Sequence, residues 1–88
     1  MSISEFMRKF EQLNGERVKV LLEHCLFDKQ EFYCDKLQTI NDDERIGVII
    51  KKREIFVYKQ DIKVAEILGN MYTISDGRFT IKVIINKL

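Results

Sequence analysis

Proline is absent from this chain, and glycine occurs only four times in its 88 residues. A flexible linker or low-complexity tail is rich in such residues, so neither is expected. Only two cysteines occur, Cys25 and Cys34, and they do not form a CxxC pair. No stretch approaches the roughly 20 consecutive apolar residues of a membrane span, so no membrane partner is expected. Residues 1–15 alternate charged and apolar side chains, unlike a signal peptide. The expectation is therefore a cytoplasmic protein with reduced thiols. Net charge is only +1, which excludes a global field that would gather nucleic acid or an anionic surface. Any anion must be held by a local cluster. There is no GxGxxG and no phosphate-binding loop, which removes the common nucleotide-binding motifs.

What remains is the composition of one small globular domain, 45% hydrophobic and 33% charged. A chain of this size buries only about 60–65% of its unfolded surface, so an oligomer or a partner would help it. Residues 3–13 read as a helix, because Ile3, Phe6, Met7, Phe10 and Leu13 recur at spacings of three and four. Ser2 or Ser4 caps its start, and Asn14-Gly15 stops it. The period then changes to two. Val18, Val20 and Leu22 form one apolar strand face. Residues 31–40 are extended, with a bulge or bend near Asp35-Lys36 that reconciles Phe32 and Cys34 with Leu37. Ile46, Val48 and Ile50 make the next strand, followed by Ile55 to Tyr58 and, after a break at Lys59-Gln60-Asp61, by Ile62 to Ile67. Asp76-Gly77 between apolar runs signals a hairpin. Its last strand is apolar on both faces around Val83-Ile84-Ile85, so it should be buried on both sides or pair with another chain.

A helix, then short strands with a tight break between the fourth and the fifth, resembles the order of the Sm-like family, which includes the Hfq-like barrels. The resemblance covers residues 3–67. Arg17 to Leu22 is similar to that family's first strand and residues 31–40 to its long bent second strand. Tyr58-Lys59-Gln60-Asp61-Ile62 resembles the Hfq-type Tyr-Lys-His-x-Ile segment. The family's histidine is Gln60 here, its second-strand glycine is missing between Glu31 and Thr39, and its third-strand asparagine is replaced by Gly47. The resemblance implies a small bent barrel and RNA contact at the loop between the fourth and fifth strands. In ring-forming members those two strands pair edge to edge between neighbours. The candidate RNA-binding residues are then Tyr58, Lys59 and Gln60, with Asn41 on the partner loop.

Other candidates come from the residues alone. Lys51, Lys52 and Arg53 are the densest basic run and would supply phosphate contacts. The plainer reading is a solvated hairpin tip. Phe56 and Tyr58 would stack bases, but alternating aromatics on a strand favour a core role for at least one. His24, Cys25 and Cys34 are the only soft metal ligands. His24 and Cys25 are adjacent and would point to opposite strand faces, so no zinc site and no cofactor are expected. Both cysteines read as small buried residues. A Cys–His pair is the only nucleophile–base candidate and lacks an orienting group. Asp42-Asp43-Glu44 does not follow a calcium-loop spacing.

The expected fold is a single α+β domain over residues 1–88. It has a helix at 3–13, a strongly bent antiparallel barrel of the Sm or SH3-like kind over about 17–68, and an extra C-terminal hairpin over about 70–87. The expected function is non-enzymatic. One reading is an RNA-binding module that forms a homo-oligomer of bacterial type. The other is a protein–protein assembly module of the same shape that binds no nucleic acid.

Overall fold

The computed structural model describes residues 2–86; the expected hairpin's last residue, Lys87, lies outside them. The helix α1 spans Ile3–Glu11. The Ser2 side chain caps it by accepting the Glu5 N–H at 3.1 Å. It ends two residues earlier than its apolar spacing suggests. Leu13 sits in the following turn, yet is as buried as Phe6 and Phe10. Apolar spacing reports burial, and the turn that leads to Gly15 (φ +87°) keeps Leu13 on the core side.

Eight strands follow, all antiparallel: β1 (Val18–His24), β2 (Phe27–Cys34), β3 (Gln38–Asn41), β4 (Arg45–Ile50), β5 (Arg53–Tyr58), β6 (Val64–Leu68), β7 (Met71–Ser75) and β8 (Phe79–Ile85). A short 3-10 turn, Lys59–Asp61, joins β5 to β6. One sheet has the order β2-β1-β8-β7-β6 and the other β3-β4-β5. The architecture is thus α+β, with one helix and two antiparallel sheets. No closed barrel is formed among the described residues, since β2, β3, β5 and β6 each end a sheet.

The chain bends at Asp35-Lys36, where the sequence calls for it. Before the bend, Phe32 and Cys34 lie opposite Val20 and Val18. After it, Leu37 enters the core at 1% exposure. The bend thus carries one nearly continuous segment from the first sheet into the second. The core lies between the sheets under α1. Phe6 and Phe10 stack at 5.8 Å between ring centroids, and both meet the Tyr72 ring. Burying a phenylalanine fully is worth about 2–3 kcal/mol, so these two anchor the helix.

The C-terminal hairpin departs from the expectation of an addition to a finished barrel. Its second strand, β8, pairs with β1 through seven residues, from Val18 opposite Ile85 to His24 opposite Phe79. Ile81 and Val83 are fully buried. β8 is therefore a central strand, and its double-sided apolar character serves the middle of a sheet. Ile84 faces the outer side and is half-buried. The Asp76 carboxylate builds the β7–β8 turn by accepting the N–H groups of Arg78 (2.9 Å) and Phe79 (2.7 Å).

Gly47 explains one departure from the Sm-like pattern. A Cβ there would stand 2.0 Å from the Ile55 carbonyl oxygen and 2.5 Å from the Phe56 Cα. β5, paired beside β4 with Phe56 opposite Gly47, lies so close that no side chain fits, asparagine included.

Candidate functional site

Tyr58, Lys59 and Gln60 stand where β5 leaves its sheet. The Lys59 N–H donates to the Glu44 carbonyl at 2.8 Å, and Tyr58 pairs with Arg45 across β4. These bonds bring the Asp42–Glu44 loop beside the 3-10 turn, two segments that the sequence leaves apart. Together Asp43, Glu44, Tyr58, Lys59 and Gln60 line a shallow cavity of about 280 Å³. Tyr58 is 47% exposed, and its ring meets Phe56 edge-on at 5.4 Å. Lys59 is half-buried and Gln60 exposed. Asn41 ends β3, and its Oδ1 is buried without a hydrogen-bond donor.

The expectation that Phe56 or Tyr58 fills the core is not met. Both face the outer side of the smaller sheet, Phe56 half-buried and Tyr58 exposed, and Val57 is the core residue of β5. Strand parity decides this, because Ile46 and Val48 on β4 hold the inner face opposite Val57 and Ile55.

Arg45 organises this surface, and no sequence motif singled it out. Its guanidinium lies 4.8 Å from the Phe56 ring centroid. It bonds Asp42 through two nitrogens, Nε at 3.0 Å and a terminal nitrogen at 2.9 Å, and reaches Glu54 at 3.3 Å. The Asp42 carboxylate also accepts the Glu44 and Arg45 N–H groups at 2.9 and 2.7 Å. Those backbone N–H groups, with the guanidinium behind them, hold the Asp42 carboxyl below its ordinary value of 3.8. The Asp-x-x-Arg spacing across a turn was the available signal. The acidic loop is thus a built turn. Its remaining carboxylates, Asp43 and Glu44, share the cavity with Lys59 and oppose an anion there.

Lys51 and Lys52 form the two-residue turn between β4 and β5, closed by the Ile50–Arg53 pair. Both adopt left-handed backbone, φ +50° and +68°. Such a turn normally takes Asn-Gly, and a lysine in that region is strained. The Lys51 ammonium lies 5.7 Å from the Phe32 ring centroid.

His24, Cys25 and Cys34 differ from the sequence reading. Cys25 is exposed in the β1–β2 turn, and Cys34 is half-buried. Because Cys25 lies beyond the strand, it does not alternate with His24, and its Sγ sits 4.0 Å from His24 Nδ1. That nitrogen already accepts the Leu26 N–H at 3.0 Å, which assigns the ring proton to Nε2 in the neutral ring. Burial, helped by Asp35, raises the Cys34 thiol. Among the described residues no three His, Cys, Asp or Glu side chains gather as a metal site would require. Among the described residues no helix is long and apolar enough to cross a membrane.

No family model, curated protein or solved structure matches this chain. The site is therefore read from its own residues.

Proposed function

We propose that this chain is a small assembly module on a barrel of the Sm-like kind, joined to neighbouring copies through the edges of β5 and β6. One observation carries the proposal. The two strands that flank the Lys59–Asp61 turn both end a sheet, β5 in the smaller and β6 in the larger. Each presents unpaired backbone N–H and C=O groups, which template pairing with another strand. Two different edges on one molecule pair head to tail, and such contacts build a ring when the rotation between neighbours closes and an open filament when it does not; a ring is the form proposed here. The bent β2–β3 segment, shared by both sheets, supports the barrel reading. Exposed Val64 and Leu68 on β6 add apolar area to the contact.

A second reading is RNA binding at Tyr58, Lys59 and Gln60. It is favoured by the exposed Tyr58 ring beside a cation in one cavity. Asp43 and Glu44 weigh against it, so assembly ranks first.

Light-scattering mass, with and without short uridine-rich or adenine-rich RNA, tests both readings. Assembly predicts a closed oligomer that Val64→Lys with Leu68→Lys reduces to monomer, because lysine on an edge blocks pairing. A monomeric parent protein refutes assembly. RNA uptake that Lys59→Ala abolishes would favour the second reading.

A further inference from the structure

A groove runs along the seam between the two sheets, at the opposite end of the β4–β5 hairpin from Lys59. It consists of three adjoining cavities of about 510, 890 and 270 Å³. The first two share Phe32, Ile50 and Lys51, and the last two share Leu22, Gln30 and Phe79. Its floor is apolar: Leu22, Phe32, Ile50, Ile55 and Phe79. One wall is β2 and its bend. Every residue from Glu31 to Lys36 lines that wall. Residues of both parities do so, which means that the strand's open edge faces the groove and not one of its faces. β2 ends its sheet, so this edge has unpaired backbone groups.

The groove carries acids and cations alike, but they are not paired alike. Its acids are Asp28, Glu31, Asp35 and Glu54, and all but Asp28 are engaged by a cation from outside the groove. Glu31 pairs with Lys19 at 3.6 Å, Asp35 with Arg17 at 3.9 Å and Glu54 with Arg45 at 3.3 Å. Lys36, Lys51, Lys52 and Arg53 have no ion-pair partner among the described residues. Two of these cations sit on strained backbone at the hairpin tip, where an uncharged Asn-Gly would be at ease. A costly conformation that projects charge into a groove points to use of that charge.

We propose that this groove takes an extended acidic peptide of a partner protein, added as a strand to the β2 edge. Its apolar side chains lie on the Leu22–Ile55–Phe79 floor, and its carboxylates meet Lys36, Lys51, Lys52 and Arg53. Strand addition supplies backbone hydrogen bonds, and the floor and the cations supply selectivity. A single-stranded nucleic acid fits less well. Its phosphodiester backbone has no N–H and C=O groups alternating at the spacing of the β2 edge. Lys51 already covers the Phe32 ring, and Tyr33 lies on the other side of the sheet, 5.8 Å from Lys19, so the exposed Phe27 at the far end is the stacking face left to such a ligand. The inference does not rest on assembly through β5 and β6.

The test is fluorescence anisotropy on the full chain. The probe is a labelled peptide of alternating valine and glutamate, about eight residues long to match a strand. The expected result is saturable binding that weakens with salt and loses roughly tenfold in affinity in Lys51→Glu with Lys52→Glu. Circular dichroism checks the fold of that variant, and Lys36→Glu, on the exposed bend, is a second variant expected to weaken binding. Light-scattering mass should be unchanged in both, which separates this site from the β5–β6 edges. The inference is overturned if the peptide does not bind, if binding survives the charge reversals, or if a valine–lysine peptide binds as well. Oligouridylate binding in the peptide's place would also overturn it and make nucleic acid the occupant.

Discussion

Replacing the strained tip by its unstrained counterpart, Lys51→Asn with Lys52→Gly, should stabilise this protein while removing charge from the groove. Both lysines lie in the left-handed region, at φ +50° and +68°. That conformation costs an ordinary L residue about 1 kcal/mol or somewhat more. Asparagine and glycine recover most of it. Two losses offset part of the gain. Glycine makes the unfolded chain freer, worth about 0.5–1 kcal/mol. The Lys51 ammonium also leaves the Phe32 ring, 5.7 Å away, an exposed cation–π contact worth about 0.5 kcal/mol. The net gain is about 1 kcal/mol, which raises the melting temperature of a domain this size by roughly 4–8 °C. Thermal unfolding followed by circular dichroism reads it directly. A melting temperature that stays the same or falls would refute the reasoning, because the lysine backbone would then carry no strain. The same variant should bind the acidic peptide more weakly. Gain of stability with loss of binding is the pattern of strain retained for a purpose.

Other outcomes follow from particular contacts. Gly47→Ala should destabilise the fold by about 3 kcal/mol or more, since its Cβ would meet the Ile55 carbonyl oxygen and backbone cannot yield as a side chain does; a urea midpoint close to the parent's would contradict the close approach of β5 to Gly47. Stability should fall in acid. The Asp42 and Asp76 carboxyls are held below their ordinary value of 3.8, Asp42 first by the Glu44 N–H and Asp76 first by the Phe79 N–H, and Glu23 is held below 4.5, first by Lys29. A lowered folded value means that the stabilisation is complete above the ordinary value and is lost as pH drops through the folded one. Urea midpoints at about pH 7 and pH 3 should therefore differ, and Asp76→Asn, which keeps an acceptor but not the charge, should narrow the gap; an equal gap in that variant would count against the turn carboxylate.

The period of the chain was legible because it has a local cause. The 3-4 spacing of Phe6 and Phe10 and the alternation of Val18, Val20 and Leu22 follow from how side chains leave a helix and a strand. The bend at Asp35-Lys36 was legible for the same reason, since Phe32 and Leu37 cannot share one face of a straight strand. The fate of β8 was not. Its apolar run fits an edge that seeks a partner and a central strand equally well, and only the pairing with β1, distant in sequence, separates the two. Cys25 illustrates the same gap: Asp28-Lys29-Gln30 reads as the turn in the sequence, but the chain turns at Cys25-Leu26, which exposes a side chain that a longer strand would have buried.

The candidate surfaces divide along the same line. Sequence by itself determined that Lys51, Lys52 and Arg53 are a basic turn and that Lys59–Asp61 breaks two strands, because turn chemistry and charge are local. It also determined the near-neutral net charge, and so that any anion recognition here is local. Only the tertiary structure decided that Asp43 and Glu44 stand beside Lys59, that Arg45 engages both Asp42 and Glu54, and that Glu31, Asp35 and Glu54 of the seam groove are held by outside cations while its own cations are not. The physical reason is that an electrostatic field depends on distance in space, and strand pairing sets those distances between residues far apart in the chain.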